Sequence, residues 1–460
     1  MHPDLKHDLD RIAQILSTTQ EYAAQLLAAV DDRPVAQAPK APASMPLSAT
    51  GRGFDVALAD FRARWAPGFS GSAGPRYLGF VTGGATPASL AGDWLTSVFD
   101  QNPTSGLDSL APDLERETVA WMREMFGIST AHTGTFVSGA TMSNMVGLAI
   151  AREWLGERSG VSVSEQGLAA LGAVRVLSGA PHSSIYKAAS MLGLGRQAIQ
   201  RVPLLPGREA IDVVALDEVL TSLAGAPAIV VANAGTVNTV DFDDLDAIVE
   251  LKSRHNFWLH VDAAFGGFAA LTAEHAHLVR VLDAADSICI DCHKWLNVPY
   301  DSALQFTRRR DLQVRVFQNN ASYLGFPQGE PDFVHLTPEN SRRLRALAVW
   351  FAVASYGKAG HRDIVEQNIA AARALGERIA NEPRLLLLAP VRMNVVCFTL
   401  AHEPGEERIQ MLIRRLRDDG QVFLSPTVLH GTRAIRAAFS NWRTSEEDVG
   451  RVFAAIANAL

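Results

Sequence analysis

An α/β fold built on a largely parallel sheet is the fold class this sequence predicts, and three observations carry it. From about Pro75 to Arg310, short β-like runs alternate with helical stretches, the pattern of βαβ units. From about Trp350 the alternation gives way to a long helical stretch followed by interleaved strands and helices, as in a smaller α+β unit. The 460 residues are 48% apolar and 20% charged, enough for a sizeable core and for more than one small domain.

Taken in order, residues 1–30 read as an amphipathic helix, with Leu9, Ile12, Ile15, Leu16, Leu26 and Leu27 at helical spacing. Pro34, Pro39, Pro42 and Pro46 stop it and make the next stretch an extended linker. Such a helix either folds back on its own chain or packs on another subunit, and its pattern alone does not choose. Strands are expected at Thr135–Val137, Val174–Leu177, Ile229–Ala232, Trp258–Val261 and Ser287–Ile290, with helices between them at Thr141–Leu155 and Phe242–His255. In the last part a helix is expected over Ile364–Asn381, a strand at Val395–Leu400, a helix at Glu407–Asp418, a strand at Ile435–Phe439 and a closing helix from Ser445. The expected organisation is an N-terminal helical arm and linker (1–74), a large domain (75–350) and a small C-terminal domain (351–460).

Composition narrows the function. With 42 basic and 49 acidic side chains the net charge is −7, which offers no footprint for nucleic acid and no polybasic membrane patch. The longest apolar runs, such as Ala346–Ser355 and Ala226–Ala234, fall far short of the ~20 residues that span a bilayer. Met1–Asp10 is charged and has no signal-peptide core, so a soluble, cytoplasmic protein is expected. Three cysteines are an odd number and no disulfide framework. Cys289 and Cys292 form one C-x-x-C without a second pair, and a strand points residues three apart to opposite faces, so no metal is expected.

The candidate chemistry lies at strand ends. In Ser138-Gly139-Ala140-Thr141 a short strand runs into a small-residue turn and a helix. Free N–H groups and the helix dipole could cradle a phosphate there, although an ordinary helix cap is the plainer reading. Asp262 follows a buried strand at its carboxyl end, where open α/β sheets bind ligands. Lys294, between His293 and Trp295 after another strand, could be a nucleophile towards aldehydes, since buried lysines tend to a lowered pKa. His182, in Pro181-His-Ser-Ser184, could stack on a planar ligand. Each has a bland alternative. Together they form a phosphate cradle, an aromatic stacker, a carboxylate and a Schiff-base lysine on successive strand ends, the set that pyridoxal phosphate requires.

These residues resemble the pyridoxal-phosphate-dependent group II amino-acid decarboxylases, in particular the aromatic-L-amino-acid decarboxylases. The resemblance rests on His260-Val-Asp-Ala-Ala-Phe-Gly-Gly267, His293-Lys-Trp-Leu with Asp301-Ser-Ala, Ala180-Pro-His-Ser-Ser184, Asn233-Ala-Gly-Thr236, Phe242-Asp243 and Leu114-Glu115 with Trp121. It implies fold type I, the aspartate-aminotransferase-like fold: a mainly parallel seven-stranded sheet, a small α+β C-terminal domain, an N-terminal helical arm, and a homodimer with shared active sites in which the arm packs on the partner. It implies pyridoxal 5'-phosphate as cofactor and a small L-amino acid as substrate. Lys294 would form the Schiff base, Asp262 would face the pyridine nitrogen, His182 would stack on the ring near the substrate carboxylate, and Ala264 would pack on the opposite face. Ala140 and Thr141, helped by His293, would hold the phosphate, and Thr236 would line the cofactor, with Val237 in place of a second threonine. The reaction implied is decarboxylation to the amine and CO2 through a quinonoid carbanion.

The position matching the family's loop tyrosine is read as Phe333, which has no exchangeable proton. Relatives with this change are associated with decarboxylation followed by oxidation to an aldehyde, so that product is an alternative; a non-catalytic or regulatory homologue is a second. Tyr323 or His335 could supply the proton instead. The side-chain pocket is expected around Tyr77, Phe80 and the Thr82-Gly83-Gly84 turn, with Gly83 enlarging it. Gln101 and Asn102 are expected to reach it across the dimer, and Arg76 is the one cation in the region. Phe80 favours an aromatic or related side chain.

Overall fold

The structure is a computed structural model and describes residues 1–47, 49–319, 330–402 and 404–460. Its larger sheet has seven strands: β1 (Thr133–Val137), β2 (Val176–Ser178), β3 (Ile199–Arg201), β4 (Ala228–Asn233), β5 (Phe257–Asp262), β6 (Ser287–Ile290) and β7 (Ala303–Thr307). They lie in the order β1-β7-β6-β5-β4-β2-β3. The pairs among β2 to β6 are parallel, and β7 runs against both of its neighbours. The second sheet holds β8 (Leu385–Leu387), β9 (Val395–Leu400), β10 (Ser425–Leu429) and β11 (Thr432–Ala438), all antiparallel, in the order β10-β11-β9-β8.

Strand alternation explains how the larger sheet buries both faces. Along β5, Phe257, Leu259 and Val261 enter one core with Phe268, Phe306 and the Ala111–Phe126 helix. Trp258 enters the opposite core with Val146 and Ile150 of the Ala140–Arg158 helix. A third core, with Leu78, Phe398, Ile435 and Phe439, fills the small sheet. Leu78 ties residues 76–79 to that sheet: its N–H donates to the Phe423 carbonyl and its carbonyl accepts from Ala438 N–H, both at 2.9 Å. This delivers residues 80–83 to the carboxyl ends of the larger sheet's central strands.

Several element bounds differ from the sequence pattern for local reasons. The first 30 residues form two helices, Pro3–Asp10 and Ile12–Ala28, interrupted at Arg11. The helix expected from Phe242 runs only over Leu245–Leu251 and is capped by Asp244. Asp243, just before it, is fully buried and spends its carboxylate on the backbone N–H groups of Ile211 and Asn233. The long helix of the last part spans Ala346–Ala380 with a break at Gly357. β3 and β7 escape the pattern because each carries a glutamine at its centre, Gln200 and Gln305, that breaks the apolar run. Among the described residues, no helix is long and apolar enough to cross a membrane.

Candidate active site at the carboxyl end of the large sheet

Register brings the site together. Asn233 of β4, Asp262 of β5 and Cys289 of β6 are cross-strand neighbours at the carboxyl ends of these strands. A cavity of about 230 Å³ opens there, lined by Ala140, His182, Thr236, Asp262, Ala264, His293 and Lys294, with Phe80, Tyr300 and Arg436 also contributing to its wall. Seven residues singled out from the sequence for cofactor binding therefore share one cavity. Thr141 stands in the same helical turn as Ala140 without lining the cavity.

Each wall has a local cause. The Ala140–Arg158 helix starts after Gly139, whose lack of a side chain leaves the first turn without a side-chain cap. His182 is the N-cap of the Ser183–Met191 helix, and its Nδ1 accepts from Ser184 N–H at 3.3 Å. Asp262 is only 7% exposed; its Oδ1 accepts from Ala264 N–H at 3.2 Å and its Oδ2 from Asn144 Nδ2 at 2.9 Å. Lys294 sits in the short helical turn Cys292–Trp295, with Nζ 3.1 Å from the buried Asp291 carboxylate. His293 Nε2 lies 3.2 Å from the other Asp291 oxygen.

The electrostatics correct one expectation. Burial opposes the charge on Lys294, yet Asp291 and Asp262 outweigh it, and the lysine pKa is raised rather than lowered. The imidazoles behave oppositely: the protein around His182 and His293 displaces water and lowers both. Arg436 adds a second cation to the wall. Its Nη atoms donate to the carbonyls of Val237 and Gly79, and its buried Nε has no hydrogen-bond partner. The cavity thus has an uncapped helix N-terminus and two cations around a space closed elsewhere by a carboxylate. That donor set fits a ligand with an anionic phosphate, an aldehyde and a cationic ring nitrogen.

Other expected residues lie elsewhere. Phe333 is 3% exposed and does not line the cavity. Its ring is held between the guanidinium groups of Arg116 (5.4 Å) and Arg342 (5.2 Å), and Arg342 in turn makes two bonds to the buried Glu115. The phenylalanine thus packs against one partner of a buried ion pair. His335 is buried in the same turn, with Nδ1 accepting from Asn319 N–H. Tyr323 lies outside the described residues. Gly83 does not enlarge the cavity: a Cβ there would stand 1.8 Å from the Lys294 carbonyl oxygen, so it marks a backbone contact. Arg76 is a structural clamp, 1% exposed, bonded to Asp448 and to the carbonyls of Asp31 and Gln421. Gln101 donates to the Phe99 carbonyl and does not line this chain's cavity. Sequence reasoning missed Arg436 and Tyr300. An arginine inside the apolar run Ile435–Phe439 was the available signal for the first.

Comparison with known proteins agrees with this geometry. Residues 37–401 match the family described as Pyridoxal-dependent decarboxylase conserved domain. An aromatic-L-amino-acid decarboxylase of Bacillus atrophaeus is 28% identical over 391 residues, covering 82% of this chain and 79% of the relative. Tryptophan decarboxylase 1 of Oryza sativa subsp. japonica is 26% identical over 428 residues, covering 86% of this chain and 82% of the relative. The crystal structure of Oryza sativa TDC with PLP and tryptamine superposes with a TM-score of 0.89 at 23% identity, covering 98% of this chain and 97% of that one, a likeness of fold.

Proposed function

The chain belongs to the pyridoxal-dependent decarboxylase family, and we propose from this premise that it decarboxylates an L-amino acid with an aromatic or related side chain, using the residues around Lys294. It is a carboxy-lyase of amino acids, and pyridoxal 5'-phosphate is its cofactor. When bound, that cofactor supplies an aldehyde for the amino group and a protonated ring that accepts the electron pair left as CO2 departs.

The chain's own residues do the rest. Lys294 would hold the aldehyde, and Asp291, 3.1 Å from Nζ, holds its amine at the cavity wall. Asp262, fixed by Asn144 and Ala264, keeps the ring nitrogen protonated. The open turn at Ala140 and Thr141 would hold the phosphate, helped by His293, and His182 and Ala264 would hold the ring, while Thr236 forms a wall with its hydroxyl committed to Glu209. Phe80, 53% exposed at the rim, supports an aromatic or apolar substrate side chain. The proton returned to Cα has Tyr323 as the candidate donor from sequence and Tyr300 as the phenol among the described lining residues. The oxidative alternative rests on Phe333 in place of the loop tyrosine, and the aromatic-amino-acid and tryptophan decarboxylases among the relatives support the amine product instead.

A homodimer is part of this proposal. The N-terminal helices bury none of their residues, and Leu5, Leu9, Ile12 and Leu16 are each more than half exposed. The chain exposes 20556 Å², against about 17,000 Å² for a compact monomer of this mass. A second copy would cover the excess, and the cytoplasm suits the three free, buried cysteines.

The observation that carries the reading is the convergence of Lys294, Asp262, His182 and an uncapped helix N-terminus on one cavity. The test is a panel of L-amino acids with CO2, amine, aldehyde and O2 followed together. Amine formation from an aromatic substrate without O2 uptake is expected, and Lys294→Ala should abolish it. Normal turnover by that variant would overturn the assignment of Lys294; aldehyde with stoichiometric O2 uptake would overturn the product.

A further inference from the structure

Behind the cavity a row of fully or nearly buried polar side chains runs from the interior of the large sheet to His182. Trp258, His260 and Asp262 share one face of β5, as alternate residues of a strand must. Ser287 is the cross-strand neighbour of His260. Asn144 and Gly147, one helical turn apart, face this row from the Ala140–Arg158 helix. Gly147 makes the approach possible, because a Cβ there would meet His260 Cε1 at 2.7 Å.

The carboxylate end of this row fixes its direction. An indole N–H can only donate, and Trp258 Nε1 donates to Ser287 Oγ at 2.9 Å. An ionised carboxylate can only accept, so Asn144 turns Nδ2 to Asp262 Oδ2 at 2.9 Å and its Oδ1 to His260 Nε2, also at 2.9 Å. The proton of His260 therefore sits on Nε2, and its bare Nδ1 accepts from the Ser287 hydroxyl at 2.7 Å. The indole end is compatible with this arrangement, since the Ser287 oxygen accepts from Trp258 while its hydrogen goes to His260. Complete burial pushes the His260 pKa down to about 4, so the ring stays neutral and the direction holds at neutral pH.

From Asn144 the row continues outward. Its second Nδ2 hydrogen goes to Ser184 Oγ at 3.0 Å, and the Ser184 hydroxyl lies 2.8 Å from His182 Nδ1, which also accepts from Ser184 N–H. Two donors thus converge on one ring nitrogen at the positive end of a helix. Charged groups facing this imidazole are Asp262 of β5, Asp291 and Lys294 of the Cys292–Trp295 turn, and Arg436 of β11.

We propose that Trp258, Ser287, His260, Asn144 and Ser184 are positioning residues that hold His182 as a neutral imidazole with its proton on Nε2, the nitrogen left to face substrate. The proposal rests on the reading of His182 as the group nearest the substrate carboxylate. Its chemical sense lies in differential binding. A neutral N–H orients a carboxylate by one hydrogen bond. An imidazolium would stabilise that carboxylate as an ion pair, a stabilisation lost as CO2 leaves, and so would raise the barrier.

The test uses the full-length protein without cofactor, labelled with 15N in histidine, and reads long-range 1H–15N correlations. His182 is assigned by the signal lost in His182→Gln. The expected result is a bare Nδ1 and a protonated Nε2 at neutral pH. Ser184→Ala and Asn144→Ala should mix the tautomers and move the His182 titration up by about one pH unit, while Ser184→Thr should keep the wild-type pattern. A wild-type Nδ1 that carries the proton overturns the proposal, and this reading needs no variant to fold. Folded Asn144→Ala and Ser184→Ala proteins with an unmoved tautomer and titration also overturn it. Since no turnover is measured, failure of the decarboxylase reading would show separately, as absence of amine in the substrate panel.

Discussion

The two faces of β5 are made from alternate residues of the same six and do different work. Phe257, Leu259 and Val261 join an apolar core whose energetics come from area and packing density. Trp258, His260 and Asp262 face the Ala140–Arg158 helix with their polar atoms in hydrogen bonds at 2.7–3.2 Å. One face tolerates any well-fitting apolar side chain. The other tolerates only groups with the right donors and acceptors, because a buried polar atom left without a partner is costly. The difference teaches that a strand can be ordinary as a structural element and highly specified as chemistry.

Mutations can break that contrast. The largest effect is expected from Asp262→Ala, which leaves a bound cationic ring nitrogen without its buried counter-charge. Removing one partner of such a pair costs about 3–5 kcal/mol, so cofactor retention should weaken by roughly two to three and a half orders of magnitude by equilibrium dialysis. Unchanged retention would place the ring nitrogen elsewhere. Next, Leu259→Ala on the other face should cost about 2–5 kcal/mol in a denaturant titration, with turnover per folded molecule little altered. Lost turnover at unchanged stability would mean the faces are not separate.

The smallest effect is a pH slope. The His260 pKa falls from an ordinary 6.5 to about 4 in the folded chain. Between those values the unfolded chain binds a proton that the folded one refuses. Stability is therefore complete above pH 6.5 and falls as pH drops, by about 1.4 kcal/mol per unit per such histidine. His361, buried near the break at Gly357 and also pushed down to about 4, contributes a second, equal share. Unfolding midpoints at pH 7, 6 and 5 should show the slope, and His260→Gln should reduce it without abolishing it. A slope unaffected by His260→Gln would mean that His260 is already charged or exposed.

What the sequence revealed follows the same division. Periodicity exposed β5, β6 and the helix after Gly139, and residues at the ends of those elements, such as Asp262 and Lys294, were legible because a strand end is a fixed place in an α/β sheet. The role of Asn144 was hidden, because a polar residue on a helix declares its partner only once β5 is packed against it. Arg436 and Tyr300 reach the cavity from the small sheet and from a loop, over sequence distances no local pattern spans. Phe333 lies in a stretch without periodicity, where nothing in the sequence shows which way a ring turns, and its packing against Arg116 and Arg342 was not legible there.

The contact of Gly83 with the Lys294 carbonyl bears on how this pocket could be re-engineered. In a saturation library across residues 80–84, position 83 should return glycine alone, since even a methyl group would displace the backbone that carries the amine. Phe80, standing half in solvent at the rim, is free to vary. New substrate preferences are therefore to be selected at the rim, while the floor beneath the lysine stays invariant.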